Sequence, residues 1–581
     1  MTTIISENKT LNLVTMNPNV SKDIDDIACQ IRAEYVLLIE SLGMGKENDL
    51  DWWGLEFVSR NTQVSQLFKN CCILIYIRGL DKDFPYSSVL VDNQALSIVL
   101  GKYFKDLNVQ IVVVSKKIGL IDSTKRALSC TFHLTARYLF SKLCNKKVKR
   151  KLINTEMITI VDTFLMEGSF QKEDIFNRYY GDLKNYFTDE KLKSIYYLPN
   201  YFGIRNYWSL FRSLETTDNI IIKEHYLKIT DYIKAFRFYK RVMKYRYDKP
   251  VFFHGYDIRP LLNDEINVNR FSYSAMISIL DYLFVKRIKE NGIKVKKVID
   301  WFENQVIDHG FNKGFREFYP NVEVSGLQLF PHPDNYLCCY LTEQEHKTKV
   351  IPTTIYVMGE GFVKGAKQFC NSIEVKTISS IRHLGVFNQY KYQRKKIFTI
   401  VMALPILYQE AAEIIDLLTS ALDNLNGPMK VMVKPHPTHN TSRLINVYQQ
   451  QFRKGFPVGF EFVDGAFNTV VEQASVLISS SSSTCLESIA KGIPTIVVGN
   501  NRGLTFLFIP EDIPQTIWRL CYSVEELRTA LLHFYNMDEE QINEYISTAE
   551  QIRKNYFEEY CQTKVRNAFG FTDSDGKNGE K

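Results

Sequence analysis

Two short turns in the last third of this 581-residue chain carry groups suited to holding a phosphate. The first, Lys434-Pro435-His436-Pro437, closes the apolar run KVMVK. It offers an ammonium and an imidazole on a backbone stiffened by two prolines. Both groups can face an anion, and the imidazole can also protonate a departing phosphate oxygen. The second turn is Ser479-Ser480-Ser481-Ser482-Ser483-Thr484, between a predicted strand (SVLI) and a predicted helix (TCLESIAK). Hydroxyls and free backbone N–H groups at a helix start, with the positive end of the helix dipole, suit an anion. One serine is enough for an N-cap, so five in a row point to a further role.

Carboxylates supply the rest of the candidate chemistry. Glu487 lies in the first turn of the helix after the serines, and Glu461 and Asp464 flank the core of a short predicted strand. Each could accept hydrogen bonds from ribose hydroxyls, although a first-turn acid also simply complements the helix dipole. Further upstream, Glu303 follows the predicted strand VKKVIDW and would project from its carboxyl end. That position suits a general base on an acceptor hydroxyl, or a nucleophile in a double displacement. Asp257, in His254-Gly255-Tyr256-Asp257 after the run VFFH, is a second catalytic candidate, and Asp300 and Asp308 are rivals. Two other motifs are set aside. Gly359–Gly365 (GEGFVKG) has one residue too many for a dinucleotide fingerprint and reads as a turn, and Pro331-His332-Pro333 reads as a surface loop.

The elements that must position these groups alternate most regularly after residue 396. Runs at 397–404, 430–434, 460–463, 475–478 and 495–498 read as strands. Between and after them, helical patterns occupy 409–425, 468–474, 484–491, 523–535 and 539–560. Alternating strands and helices predict a parallel sheet covered on both faces, with ligands outside the carboxyl ends of its strands. Upstream, 23–43 and 272–291 have helical spacing. The runs 71–77, 109–115, 251–254, 295–301, 322–324 and 354–358 read as strands, the first two forming a βαβ unit around a helical 88–104. The expected organisation is a flexible 1–20, an N-terminal Rossmann-like domain over 21–380 with a helical insertion at about 120–250, a connection at 379–396, a nucleotide-binding domain over 397–535, helices to 571 and a disordered tail over 572–581.

Composition narrows the class. At 45% hydrophobic and 24% charged residues the chain reads as an ordinary globular protein, too long for one core. A net charge of +7 is small for this length, but it is clumped at Lys146–Lys151, Lys240–Lys249 and Lys391–Lys396. Such clumps can meet an anionic membrane surface, whereas nucleic acid is disfavoured because they lack interleaved aromatic motifs. The eleven cysteines show no C-x-x-C pair or zinc-like spacing, which suits reduced, buried thiols in a cytoplasm. Neither a signal sequence nor a membrane-spanning run is expected.

The His-Pro turn, the serine run and Leu486-Glu487-Ser488-Ile489-Ala490-Lys491-Gly492-Ile493-Pro494 together resemble the C-terminal domain of GT-B glycosyltransferases. The nearest pattern is the subset using CMP-activated acidic sugars: sialyl-, polysialyl-, Kdo- and pseudaminic-acid transferases of bacterial capsule and lipopolysaccharide assembly. Trp301–Gln305, Ser325–Gln328, Tyr340–Glu345 and Val357–Gly359 are similar to the N-terminal domain of bacterial surface-carbohydrate transferases. The resemblance implies two Rossmann-like domains facing across a cleft. It also implies phosphate binding by His436 and Ser480–Ser483 without a metal or other cofactor, with Lys434, Pro437, Ser479 and Thr484 completing the candidate nucleotide site. A CMP-linked nonulosonic donor, a glycan or lipid-linked glycan acceptor, and work at the inner face of the bacterial inner membrane would follow. Alternatives in view are a UDP- or CDP-linked donor, an epimerase or glycerophosphate-type polymer transferase, and a non-catalytic nucleotide- or glycan-binding subunit.

Overall fold

The computed structural model describes residues 10–80, 84–105, 109–114, 120–144, 157–166, 177–181, 183–388, 392–423, 425 and 427–571. The basic run 146–151, Lys391, the first nine residues and the tail 572–581 lie outside these. Buried apolar side chains from both halves of the chain join one continuous core.

The strands in chain order are β1 (Thr10–Asn12), β2 (Ser88–Val91), β3 (Gln110–Val113), β4 (Ile158–Met166), β5 (Ile195–Phe202), β6 (Phe252–Phe253), β7 (Tyr256–Asp257), β8 (Val295–Trp301), β9 (Val324–Gln328), β10 (Thr354–Val357) and β11 (Glu374–Thr377). The second half adds β12 (Phe398–Ala403), β13 (Met429–Lys434), β14 (Phe460–Phe462), β15 (Val476–Ser479), β16 (Thr495–Val498) and β17 (Trp518–Cys521). Two six-stranded sheets dominate, ordered β11-β10-β9-β8-β4-β5 and β14-β13-β12-β15-β16-β17, and every pairing within them is parallel. This is the α/β architecture of two doubly wound sheets that the sequence predicts. In each sheet the order reverses once, between β4 and β8 in the first and between β12 and β15 in the second, and such switch points are where open parallel sheets bind ligands.

Several elements differ from expectation. The run Cys71–Ile77 is not a strand but the core of the helix Leu67–Gly79, buried on nearly all sides. A helix surrounded by protein has no polar face, so its periodicity vanishes from the sequence. The βαβ unit is instead β2, the helix Gln94–Tyr103 and β3, with β1 added alongside β2. Residues 10–20, expected to be loose, thus form a strand and start the helix Pro18–Gly43. The stretch 120–250 is not a helical insertion apart from the sheet, because it supplies β4 and β5.

The chain crosses between the two halves twice. The first crossing follows β11. The second is the end of the helix Glu539–Tyr556, from which Glu558 N donates to Met358 O and Ser380 N donates to Glu558 O. Gly359 and Gly361 explain themselves here: a Cβ at either would collide with Tyr556, backbone in one case and ring in the other. The GEGFVKG motif is therefore a close-approach turn that admits the returning chain.

Candidate functional site

β12 ends at Ala403, which lies opposite Lys434 of β13 on one side and opposite Ser479 of β15 on the other. Both phosphate-suited turns thus leave the same edge of the second sheet, with one strand between them and roughly 10 Å from strand to strand. On the β13 side, His436 is half-buried, and its Nδ1 accepts from Thr438 N at 3.3 Å and lies 2.8 Å from Thr438 Oγ1. Accepting at Nδ1 leaves the proton of the neutral ring on Nε2, a donor tautomer inferred from this bond. The ring also lies 5.9 Å from His439, which stacks on Tyr408 at 4.2 Å while the Arg443 guanidinium covers Tyr408 at 4.8 Å. His439 and Tyr408 were not singled out in the sequence, since the pair forms across thirty residues with no shared motif.

On the β15 side, Ser479 is fully buried and donates to Ala403 O at 2.7 Å, so it anchors the turn and cannot face a ligand. Ser482 Oγ lies 2.8 Å from Thr484 Oγ1 and accepts from Thr484 N. Ser480 is different. Its hydroxyl is buried and has no hydrogen-bond partner among the described residues. An unsatisfied buried hydroxyl is rare in folded proteins and marks a place where a ligand or water is expected.

Ser480 and Ser481 also line a small cavity of about 60 Å³ with Glu410, Glu413, Asn500, Asn501, Tyr522 and Ser21. Burial, with Glu413 nearby, raises the Glu410 carboxyl above its ordinary range, and Asn500 Nδ2 donates to it at 3.3 Å. Two acids make this pocket a poor host for phosphate but a good one for hydroxyl or amino groups.

The remaining acids sort themselves by their partners. Glu487 does not stand open to a ribose: it is buried and lies 3.3 Å from His383 Nδ1, while His383 Nε2 bonds Leu329 O at 3.2 Å. Leu329 follows β9, so this histidine ties the carboxyl edge of the first sheet to the helix Thr484–Ala490 of the second. Glu461 turns away on the edge strand β14, more than half exposed and paired with Lys430 at 2.8 Å. Asp464 is exposed in the loop after β14.

Glu303 stands two residues past β8, at the switch point of the first sheet. Trp301 Nε1 donates to one carboxylate oxygen at 2.8 Å and Gln305 Nε2 to the other at 2.6 Å, so the group is half-buried and fixed in direction. The Trp301 ring lies 5.5 Å from the Arg382 guanidinium, next in sequence to the bridging His383. Glu303 is thus held, through Trp301, beside the segment that bridges the two sheets. Its rivals are committed elsewhere. Asp308 is buried and caps the helix Val306–Phe318 by accepting from Gln305 N at 2.9 Å. Asp300 is buried and accepts from Asn312 at 2.7 Å. Burial pushes both carboxyls well above the usual range, helped by repulsion from Asp162 on Asp300 and from Asp300 on Asp308.

Asp257 does not stand at a strand end of either large sheet. β6 and β7 form a two-stranded antiparallel hairpin of their own, outside the large sheet. Its carboxylate accepts from Arg259 N and Val251 N and pairs with Lys102 at 3.2 Å, contacts that lower its pKa. His332, expected on a surface loop, instead has both ring nitrogens buried among the rings of Phe330, Tyr340 and Phe362, and burial lowers its pKa to about 4.

Among the described residues, one group has the atoms to consider for a metal: Glu343, His346 and Cys370. The Ser372 hydroxyl sits among them, 2.6 Å from Glu343 and 3.0 Å from His346, and links them by hydrogen bonds. No described helix is long and apolar enough to cross a membrane.

No protein-family model and no curated protein matches the chain. Solved structures with similar folds include a Staphylococcus aureus MnaA–UDP co-structure, at 9% identity over 71% of this chain and 95% of that one, with a TM-score of 0.39. Acinetobacter baumannii MurG gives 12% identity over 71% and 99%, with a TM-score of 0.38. CalG4, the calicheamicin glycosyltransferase, gives 10% over 68% and 95%, with a TM-score of 0.34. These low scores leave the reading of the site to rest on its own residues.

Proposed function

We propose that the protein is a GT-B glycosyltransferase that moves an acidic nonulosonic sugar (pseudaminic, legionaminic, sialic or Kdo type) from a CMP-activated donor to a bacterial surface glycan. The observation that carries this reading is the shared register of Lys434 and Ser479 against Ala403, which aims both anion-suited turns along one sheet edge. The donor phosphate sits between them. Lys434 neutralises its charge, His436 offers the Nε2 proton to the oxygen that leaves the anomeric carbon, and Ser480 supplies a hydroxyl. Hydroxyl and amino groups of the nucleoside enter the cavity beside Glu410 and Asn500. From the other sheet, Glu303 takes the proton of the acceptor hydroxyl as its oxygen attacks the anomeric carbon. This arrangement asks for no metal, because a lysine and a donor imidazole already face the phosphate.

The test is a thermal-shift screen against CMP, CDP, UDP and GDP, followed by product analysis with the matching donors. A ligand that binds only the folded state raises its melting temperature. Stabilisation by CMP together with transfer from a CMP-linked donor supports the proposal. Stabilisation by UDP alone moves the donor to that class, and nucleotide binding without donor consumption would make the protein a binding subunit.

A further inference from the structure

Away from this site, two helices expose apolar faces side by side. On the helix Leu120–Cys144, Leu128, Phe132, Leu139 and Leu143 recur at helical spacing and are between 52% and 67% exposed. On the helix Ile229–Phe236, Ile229 and Ile233 are 53% and 46% exposed. The two faces border one groove of about 410 Å³, lined by Leu139, Ile229, Ile233 and Phe236 among others. A contiguous apolar patch of this kind is uncommon on a solvent-facing surface and marks an interaction site.

Charge identifies the partner. Arg237 and Lys240 line the groove itself, Lys228 and Lys234 are exposed on the same stretch of chain, and none of the four takes part in an ion pair among the described residues. The one acid between residues 228 and 244, Asp231, is buried and paired with Arg287 at 2.7 Å. From Thr124 to Cys144 the sequence has no acid at all, and it continues into the basic run Lys146–Lys151. A second copy of this chain would bring like charges together across the patch, which is unfavourable. A bilayer surface with anionic headgroups satisfies both features at once, taking apolar side chains into its interface and cations against its phosphates.

We propose that the exposed apolar faces of the helices Leu120–Cys144 and Ile229–Phe236, with their rim of Lys228, Lys234, Arg237 and Lys240, dock the protein onto an anionic lipid bilayer. The inference is independent of the glycosyltransferase reading. Docking is peripheral, weakens with salt, and needs both the apolar and the basic components.

The experiment is flotation of the full-length protein with vesicles of phosphatidylcholine alone or mixed with phosphatidylglycerol, at low and high salt. The parent protein floats with the anionic vesicles at low salt, and much less with neutral vesicles or at high salt. F132S/L139S and K234Q/R237Q/K240Q each lower the bound fraction about tenfold, the order expected for losing two or three interfacial contacts. Val458→Ser, at a fully exposed apolar position in the other half, leaves it unchanged. Unaltered melting temperatures show that the variants are folded. As an independent measure that needs no loss of function, Phe132→Trp gives a blue-shifted emission difference from the parent on adding anionic vesicles. Failure of the parent to float, flotation of either variant at the parent's level, or an unshifted emission difference for Phe132→Trp overturns the proposal. So does a lipid-independent dimer that F132S/L139S converts to monomer.

Discussion

Lys434 and Ser479 lie on opposite sides of Ala403, each in register with it across a parallel strand pair. Two turns about forty-five residues apart in sequence are thereby delivered to one edge of one sheet, the arrangement on which the proposed donor site rests.

The unpartnered Ser480 hydroxyl separates binding from stability. Ser480→Ala removes no protein hydrogen bond, so the melting temperature stays the same or rises slightly. Donor turnover falls by about tenfold to a hundredfold, the order for losing one preorganised donor to a developing charge. His436→Ala, with a half-buried ring, likewise leaves the fold intact and lowers turnover by about a hundredfold or more. Steady-state kinetics beside melting curves checks both. A Ser480→Ala enzyme with full activity removes this hydroxyl from the phosphate site.

Glu303 and Asp257 make a matched pair of tests. Glu303→Gln keeps the size of the side chain but removes the base, so turnover falls by about a hundredfold or more while nucleotide-induced stabilisation is retained. Asp257→Asn loosens a hairpin and ion pairs at the surface, costing about 1 kcal/mol or less, and leaves kcat unchanged. Equal kinetic losses in the two variants would contradict the placement of Glu303 as the reacting carboxylate.

Asp25 joins the Pro18–Gly43 helix to the second half, accepting from Thr505 N at 2.9 Å and from Tyr522 Oη at 2.8 Å. Burial raises its carboxyl from 3.8 to about 6 despite those bonds. The folded protein therefore holds this proton between about pH 4 and 6 where the unfolded chain has released it. The contribution of this group to stability is complete below about pH 4 and is lost as pH rises through about 6. Asp25→Asn removes that loss. Chemical denaturation from pH 4 to 8 should show the variant gaining on the parent across this window, by up to about 3 kcal/mol.

Gly359→Ala forces a methyl group into the Tyr556 backbone. The expected cost is about 1–3 kcal/mol, as for overpacking elsewhere. Limited proteolysis should then cut first near residues 556–571, ahead of any site in the sheets.

The second half was legible because each of its strands is a short apolar run bounded by Gly, Pro or polar residues, and each helix that follows has a clear polar side. There β17 was the one strand missed, its sequence WRLC being too short and mixed to show alternation, and the helices Thr441–Phe452 and Gln562–Ala568 were not read either. In the first half burial erased the signal, as in Leu67–Gly79. Pro199 lies inside β5 (Ile195–Phe202), which is an edge strand, where proline is tolerated. The site divides the same way. His436, Ser480 and Glu303 could be found because they sit just beyond strand ends. The His383–Glu487 bridge, and the diversion of Glu461 to Lys430, depend on contacts between distant segments that no local pattern encodes.

The double passage of the backbone between the halves, after β11 and again beyond Tyr556, also governs how the molecule can move. A single tether would let one half swing in any direction about a point. Two tethers confine it to turning about the line that joins them, as a door turns on a pair of pins. Any swing of one half against the other is thereby reduced to one angle, and the contacts that span the halves, Asp25 on Thr505 and His383 on Glu487 among them, are bolts that must slide before that angle can change.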